Sequence, residues 1–196
     1  MARTSGSNGE RTAAQIREAG VRLIHRHGFE AMSLRQLAAE VGLQPGSLYN
    51  HFENKQALLF EIVRTHMEEL LARLGEALAG RTDPVERLKA FAAFHLAYHM
   101  TRQRLVYIAN SELRSLEPDN RAAVVALRGR YEDTVVAILA DGVAAGVFRI
   151  ADVRVAAYAI IAMLTGVCDW YRPDGRLGQD EITRLYVDLA LKGVSG

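Results

Sequence analysis

Cysteine, proline and long apolar runs are all scarce in this 196-residue chain, which contains one Cys and four Pro. A single thiol, Cys168, excludes an internal disulfide and a zinc site built from cysteines, so a reducing cytoplasm is the expected compartment. No run approaches the roughly 18 apolar residues that a membrane span needs, so no membrane partner is expected. The first residues, MARTSGSNGER, are polar and lack the apolar segment of a secretory signal. They predict a flexible arm over residues 1–9.

An excess of either charge is also lacking, because 24 Lys and Arg face 23 Asp and Glu for a net charge of +1. The whole molecule is not a polycation, so any contact with nucleic acid must be local. Residues 1–60 hold seven Lys and Arg against five Asp and Glu, a net charge of +2, which leaves −1 for the remainder. The N-terminal third is therefore the more positive part of the chain.

Strand signals are few, and apolar residues recur at helical spacing along most of the chain. We predict an all-α fold, with an N-terminal three-helix domain over residues 10–69 and a C-terminal helical bundle over residues 70–196. The first helix is expected to begin near Glu10 and to end at Gly28, and Asn54 is expected to cap a long connecting helix. Further helices are predicted over about 84–100, 102–115, 118–145, 152–171 and 178–193.

The stretch from Ser33 to Phe52 breaks helical periodicity twice, at Gly42 and at Pro45. Ser33 is a good N-cap for a two-turn helix that Gly42 stops, and Pro45 suits the first turn of a still shorter helix. Two short helices joined by a turn containing glycine match a helix-turn-helix, whose first helix braces the second in the major groove of DNA. Short helix pairs of this kind also occur in bundles that never bind DNA. The residues expected to pack between the two helices are Leu37, Ala38, Val41, Leu48 and Phe52.

On the helix-turn-helix interpretation, side-chain chemistry predicts which residues contact double-stranded DNA. Asn50 can hydrogen-bond adenine in a bidentate manner, whereas Tyr49 and His51 suit phosphate oxygens. Small residues at the start of the second helix let it approach the duplex closely, and a lysine at the start of the next helix adds a phosphate contact. The predicted DNA-binding residues are Ser33, Arg35, Gln44, Pro45, Gly46, Ser47, Tyr49, Asn50, His51 and Lys55.

Three parts of this region resemble the DNA-binding domain of the TetR family of transcriptional regulators. They are the run Ser-Leu-Arg-x-Leu-Ala-x-x-Val-Gly from Ser33, the segment Gly-Ser-Leu-Tyr-x-His-Phe from Gly46, and a helix that opens with Lys55. The match covers about a third of the chain. It implies a homodimeric repressor that binds a palindromic operator and releases it when a small molecule enters the C-terminal domain.

A second segment, DWYRPDG at residues 169–175, resembles a subgroup of TetR regulators that control fatty-acid, steroid or aromatic-acid catabolism and respond to acyl-CoA thioesters. In that subgroup a Trp-Tyr-Arg-Pro-x-Gly turn links the last two helices. Arg172 and Arg176 suit a phosphorylated ligand; the alternative is that the aromatic pair packs in the core and the arginines cap helix ends. Some steroid-type members carry Arg and Trp one and two turns earlier, where this chain has Ile161 and Thr165, which argues against a steroid-derived thioester.

Two C-terminal helical patterns are expected to form the homodimer interface that the resemblance implies. Residues 153–171 are apolar or small almost all round, so a helix there must be covered on every side. The last predicted helix also has an apolar stripe, formed by Ile182, Leu185, Tyr186 and Leu189. We expect dimerisation through helices over about 152–171 and 178–193, and the alternative is complete coverage within one protomer.

The resemblance also implies an effector pocket inside the C-terminal bundle. The residues expected to line it are Phe91, Phe94, His95, Tyr98, Tyr107, Asn110, Tyr131, Trp170 and Arg172. Because His95 and His99 are four residues apart on one helical face, a metal-responsive regulator with Glu112 as third ligand is an alternative, and another small hydrophobic ligand is a further one. The sequence has no glycine-rich phosphate loop and no Gly-x-Ser-x-Gly motif, so neither enzyme activity nor a cofactor is expected.

Overall fold

The computed structural model describes residues 5–195, and all regular secondary structure among them is helical. The predicted all-α fold is thereby confirmed. A 3₁₀ helix, Glu112–Ser115, follows α6. The α-helices are α1 (Ser5–His27), α2 (Leu34–Glu40), α3 (Pro45–Leu48), α4 (Lys55–Leu78), α5 (Pro84–Thr101), α6 (Gln103–Ser111), α7 (Pro118–Ala144), α8 (Val153–Thr165), α9 (Val167–Trp170) and α10 (Gln179–Lys192).

The N-terminal arm predicted over residues 1–9 is shorter than expected. Helix α1 begins at Ser5, so residues 5–9 are helical, and residues 1–4 lie outside the described part of the chain. The expected start near Glu10 was wrong by about one turn. Residues 5–9 include no proline, so no backbone N–H is missing and no ring blocks the first turn of the helix.

Contacts divide the chain into two compact units. The first extends to His66 and also contains Arg104–Val124, and the second contains Met67–Gln103 and the residues from Val125 onward. The apolar core of the first unit comes mainly from α1–α4 and the turns between them, and it supports the helix-turn-helix from behind. Its buried residues include Ile16, Ala19, Leu23, Ile24, Phe29, Met32, Leu37, Ala38, Leu48, Phe52, Leu58, Leu59, Ile62 and Val63.

Helices α2 and α3 form the predicted helix-turn-helix. Ser33 closes a capping box with Gln36: the Gln36 amide donates to Ser33 Oγ at 3.2 Å, and the Ser33 amide donates to Gln36 Oε1 at 2.9 Å. Gly42 has a φ of 69° and supplies the left-handed conformation that follows α2. Pro45 is the first residue of α3, where its missing N–H costs no helical hydrogen bond.

Helix α3 is a single turn, and the chain continues as turns through His51. The Phe52 amide still donates to Leu48 O at 3.1 Å, so the continuation keeps a helical hydrogen bond. Of the five residues expected to pack between α2 and α3, Leu37, Ala38, Leu48 and Phe52 are buried and Val41 is half-buried.

Residues 104–124, here called the α6 strap, pack with the N-terminal helices. Gln56 Nε2 donates to Ser115 O at 2.7 Å, and the Glu117 amide donates to Gln56 Oε1 at 3.3 Å. The Phe29 amide donates to Glu112 Oε1 at 3.3 Å. The two compact units therefore do not correspond to the predicted division of the chain at residue 69. Hydrogen bonds between residues 59 to 83 positions apart in sequence hold the strap in the first unit.

The second unit is organised around α5, which packs against α8, α9 and α10. Asp83 caps α5 by accepting from the Glu86 amide at 2.9 Å, and Asp152 caps α8 by accepting from two amides at 2.9 and 3.0 Å. The buried apolar residues on these helices and on α7 include Leu88, Phe91, Ala92, Leu96, Val135, Ile138, Leu139, Ala157, Ile160, Leu164, Ile182 and Ala190.

The helix predicted over 152–171 is divided at Gly166 into α8 and α9, because glycine has a low helix propensity. Residues 153–170 have a mean hydropathy of 1.4 over 18 residues, long and apolar enough by composition to cross a membrane. The expectation that no such run exists was therefore wrong. Only 22% of this segment is buried, and its length and composition alone are weak grounds for a membrane span. The segment instead presents apolar surface that the described residues of the protomer leave open.

Candidate DNA-binding surface and ligand sites

The turn from Gln44 to His51 presents polar and aromatic side chains to solvent. Tyr49 is 55% exposed, although a large aromatic residue of this kind is usually well buried. Ser47 and His51 are half-buried beside it. The structure thus brings the central part of the predicted DNA contact onto one exposed turn, supported by the buried side chain of Leu48. The other exposed residues of this turn are Gln44, Pro45, Gly46 and Asn50.

Arg35 adds an available positive charge on α2. Its side chain is exposed, and within residues 9–195, whose side chains are described, it has no ion pair or hydrogen bond. Arg22, by contrast, is paired with Glu40, with Nε 3.0 Å from Oε1. A cation without a protein partner can bind a phosphate without first breaking an internal contact. Arg35 is therefore the better placed of the two for a DNA backbone.

Two other predicted DNA-binding side chains are occupied within the first unit. Ser33 Oγ serves the capping box of α2. Lys55 Nζ donates to Phe29 O at 3.1 Å and to Glu30 O at 3.2 Å, and it lies 4.4 Å from the centroid of the Phe29 ring. These contacts fasten the start of α4 to the turn after α1. The sequence showed the positive charge but could not show that it is directed inward.

A polar group, here called the histidine cluster, lies in the second unit and consists of the buried His95, His99 and Tyr131 and the half-buried Thr165. His95 Nδ1 is 2.8 Å from Tyr131 Oη, and His95 Nε2 is 3.1 Å from Thr165 Oγ1. His99 Nδ1 donates to His95 O at 2.8 Å, because a carbonyl can only accept. The two imidazoles stack with centroids 3.7 Å apart and planes 5° from parallel.

Burial keeps the histidine cluster uncharged at neutral pH. It lowers the pKa of His95 well below the ordinary value, and the neighbouring His99 adds to that effect. Burial also lowers the pKa of His99 to about 4, although the hydrogen bond to His95 O works in the opposite direction. Burial raises the pKa of Tyr131 well above its ordinary value. Neutral imidazoles and phenols can donate or accept hydrogen bonds without the cost of burying a charge.

This geometry does not favour the metal alternative for His95 and His99. Both nitrogens of His95 already have hydrogen-bond partners, and stacked parallel rings do not point their nitrogens at a common ion. Glu112 accepts from the Phe29 amide and from the Ser115 hydroxyl in the first unit. Within the described residues, no group of three or more His, Cys, Asp and Glu side chains is arranged to hold a metal ion.

The predicted effector-pocket residues fall into separate groups. Phe91, His95, Tyr98 and Tyr131 are buried in the second unit, and the Phe91 and Tyr131 rings have centroids 5.6 Å apart. Phe94 packs on Tyr98 at 5.5 Å. These residues form a packed aromatic group on α5 and α7.

Tyr107 and Asn110 belong to the first unit and are not part of this aromatic group. Tyr107 is 53% exposed and packs edge-on against His25 of α1, with centroids 5.3 Å apart. Asn110 is exposed on the same α6 strap. Helical spacing placed them on α6 correctly but could not show which unit α6 joins.

Two cavities in the second unit are lined mostly by other residues. One is a groove of about 460 Å³ between α4 and α7; the other is a cleft of about 260 Å³ at the turn between α9 and α10. Of the predicted ligand residues, Trp170 and Arg172 line this cleft. The groove is lined by Glu68, Leu71, Ala72, Leu74, Gly75, Leu78, Arg130 and Thr134. The cleft is lined by Trp170, Tyr171, Arg172, Gly175, Arg176, Leu177 and Ile182.

Comparison with protein families gives two matches that follow the order of the chain. Residues 16–62 match the family described as bacterial regulatory proteins, tetR family. Residues 81–194, more than half of the chain, match the tetracyclin repressor-like C-terminal domain. The chain belongs to the TetR family of transcriptional regulators. The resemblance drawn from the helix-turn-helix motif is thereby confirmed.

Individual TetR-family proteins are similar over most of their length. The HTH-type transcriptional repressor KstR2 of Mycolicibacterium smegmatis is 31% identical over 173 residues, which are 86% of this chain and 83% of that protein. The crystal structure of the TetR-family regulator PfmR from Thermus thermophilus has a TM-score of 0.82 and 37% identity, covering 90% of this chain and 97% of that one. AibR in complex with isovaleryl coenzyme A and operator DNA has a TM-score of 0.82 and 28% identity, covering 91% and 97%.

These similarities indicate what kind of protein this member of the TetR family is. TetR regulators bind operator DNA and dimerise, and they are regulators rather than enzymes. The chain is accordingly a TetR-type transcriptional repressor.

One residue that the sequence did not reveal is Gln103, at the start of α6. Its Nε2 donates to Cys168 O at 3.2 Å and to Tyr171 O at 3.1 Å. It therefore holds both ends of α9 next to the cleft. No local pattern marks this role, because the partners lie 65 and 68 residues further along the chain.

Proposed function

We propose that this TetR-type repressor is a cytoplasmic homodimer that leaves a palindromic operator when an acyl-CoA thioester binds its second unit. The DNA-binding part of the proposal rests on the exposed turn from Gln44 to His51. Within it, Asn50 reads a base edge, Tyr49 and His51 contact phosphates, and Arg35 on α2 contacts the flanking backbone.

Binding to operators selected from a random-sequence DNA pool tests these roles. Arg35→Gln should weaken binding to all sequences and reduce the slope of log affinity against log salt by about 1, because one phosphate contact is lost. Asn50→Ala should relax base preference at one position, at a cost of about 1–3 kcal/mol for the preferred base. Fluorescence anisotropy with labelled duplexes at several salt concentrations measures both effects.

Arg149→Gln is the matched control for this experiment, since Arg149 is an exposed arginine of the second unit. Its binding and salt slope should equal those of the unaltered protein. If Arg35→Gln and Asn50→Ala also leave affinity and base preference unchanged, the recognition turn is misplaced.

Support for an acyl-CoA effector comes from the similar proteins and from the cleft. AibR, which shares the fold at 28% identity, binds isovaleryl coenzyme A together with operator DNA. Two arginines line the cleft at the α9–α10 turn, and guanidinium groups suit a phosphorylated ligand. Similarity to the fatty acid metabolism regulator protein of Bacillus subtilis, 22% identical over 182 residues, favours a fatty acyl group, whereas Ile161 and Thr165 argue against a steroid one. We therefore expect a fatty or branched-chain thioester.

The aromatic group of α5 and α7 is the proposed place for the acyl part. Its residues are packed in the structure, so an acyl chain can enter only by parting them, and Tyr131 and Thr165 then offer hydroxyl groups close to His95. A ligand that binds only the parted state shifts the population toward it. Moving a two-state equilibrium from 1:99 to 99:1 needs a differential affinity of about 5.5 kcal/mol.

Release of the selected operator by a series of acyl-CoA thioesters tests the effector. Affinity for DNA should fall at one range of acyl lengths and stay unchanged with free coenzyme A. Phe91→Trp, which adds bulk to the packed aromatic group of α5 and α7, should raise the thioester concentration needed about tenfold while leaving DNA affinity in its absence unchanged. An operator complex that resists every thioester tested would refute the acyl-CoA proposal and leave the DNA-binding part intact.

A further inference from the structure

The cleft at the α9–α10 turn has a defined shape. Gln103 holds the two ends of α9 through Cys168 O and Tyr171 O. Across the turn, the Gly175 amide donates to Arg172 O at 3.0 Å, and a Cβ added at Gly175 would lie 3.0 Å from that same oxygen. A side chain at this position would therefore press on the turn. The backbone around the cleft is held by specific contacts on both sides.

The lining combines an aromatic surface with positive charge. Trp170 is 49% exposed, and its ring centroid lies 6.2 Å from that of Tyr186. The charged residues that line the cleft are Arg172 and Arg176, so all of its side-chain charge is positive. Carboxylates occur nearby in the sequence at positions 169, 174, 180 and 181, but none of them lines the cleft.

The two arginines differ in how they are held. Arg172 Nη1 donates to Tyr171 O at 2.9 Å, which orients its guanidinium. Arg176 is exposed and has no ion pair or hydrogen bond within the described side chains. A guanidinium without a protein partner next to an exposed indole is suited to a planar ring that carries phosphate, because indole stacks on the ring and guanidinium binds phosphate through paired hydrogen bonds.

We propose that this cleft binds the nucleotide end of the coenzyme A thioester, with Trp170 against the adenine ring and Arg172 and Arg176 on its phosphates. This assignment rests on the proposed acyl-CoA effector, because it names where one end of that molecule binds. At about 260 Å³ the cleft is smaller than the roughly 300–1,000 Å³ of sites for drug-sized ligands. A cleft of this size has no room for the whole thioester, so the acyl group is left to a different part of the second unit.

Adenosine 3′,5′-bisphosphate, the nucleotide portion of coenzyme A without pantetheine or acyl group, is the direct probe. Trp170 is the only tryptophan, so its fluorescence reports on the cleft. We expect saturable quenching by the bisphosphate and none by inorganic phosphate at the same concentration. Arg176→Gln should weaken binding at least tenfold, whereas Arg149→Gln, an exposed arginine outside the cleft, should not. Calorimetry on the same variants provides a second measurement that does not depend on the indole.

Failure of this assignment and failure of the effector proposal give different results. If acyl-CoA releases the operator but the bisphosphate does not bind, or binds Arg176→Gln as tightly as the unaltered protein, the cleft is not the nucleotide site. If the bisphosphate binds through Arg176 but no thioester releases DNA, the cleft assignment is supported and the effector proposal is wrong. Trp170 fluorescence that depends on protein concentration and not on nucleotide would show that a second copy covers the cleft, which overturns the assignment.

Discussion

At the scale of single residues, Lys55 shows the difference between charge in a sequence and charge on a surface. A lysine at the start of a helix next to the recognition turn predicts a phosphate contact. In the structure, two carbonyl oxygens and the Phe29 ring surround its ammonium group. Arg35, with the same charge, stays exposed on α2. Only the fold around each side chain distinguishes the two, because the position of Phe29 depends on tertiary packing.

His99 carries a residue-scale prediction about acid stability. Its pKa is about 4 in the folded protein, against an ordinary value of 6.5. Between these values the unfolded chain binds a proton that the folded chain does not, so stability is lost as pH falls from about 6.5 to about 4. The loss from this residue is on the order of 3 kcal/mol, and His95, whose pKa is also lowered, acts in the same direction.

Urea unfolding at pH 7.5, 6.0 and 4.5 checks the acid-stability prediction. His99→Gln should flatten the dependence of the unfolding free energy on pH in this range, whatever its effect at pH 7.5. His27→Gln, at an exposed histidine of α1, should keep the original slope. An unchanged slope in the His99 variant would mean that this imidazole is already accessible to protons in the folded state.

At the scale of helices, the residues that cap a helix could be predicted better than the helices against which it packs. Ser33, Asn54 and Pro45 act within one turn of their own positions, so their roles were readable from the sequence: the Ala57 amide, for example, donates to Asn54 Oδ1 at 2.7 Å. Gly166 interrupts a helix that was expected to be continuous. The sequence did not show that the α6 strap joins the first unit, because that depends on partners far along the chain.

Replacement of Gln56 tests how the α6 strap is attached to α4. Its amide group donates to Ser115 O at 2.7 Å and accepts from the Glu117 amide at 3.3 Å. Gln56→Ala removes both hydrogen bonds and should lower the unfolding free energy by about 1–2 kcal/mol. Hydrogen exchange should also become faster at the Glu117 amide, which loses its acceptor.

Gln15→Ala is the matched control for the strap prediction, since Gln15 is an exposed glutamine on α1. Its unfolding free energy should change by less than about 0.5 kcal/mol. Equal stabilities of the two alanine variants, with no change in exchange at Glu117, would show that the strap does not depend on Gln56.

At the scale of the whole molecule, apolar side chains that the described residues leave exposed lie on the two helices predicted to form the dimer interface. Val155 and Tyr158 on α8 are 62% and 46% exposed, and Leu185 and Leu189 on α10 are 50% and 53% exposed. The sequence predicted an apolar surface on both helices, and the structure leaves part of it open to solvent. Spacing of three or four residues puts each pair on one helical face. Such faces are typical of surfaces that a second protein covers.

Leu189→Glu should therefore produce a monomer, because a carboxylate buried at the interface of two copies lacks a partner. The folded protomer should persist, since Leu189 is already half-exposed and its replacement removes little buried area. Light scattering after gel filtration measures the mass, and circular dichroism checks the helix content. Val125→Glu, at a 48% exposed valine on α7, is the matched control and should remain dimeric.

A regulator that reads two half-sites about 34–36 Å apart needs both recognition turns in one dimer, so the monomer should lose at least about 100-fold in affinity for the full operator. Its affinity for a single half-site should not change, since the turn from Gln44 to His51 is intact; a Leu189→Glu dimer with full operator affinity would place the interface elsewhere.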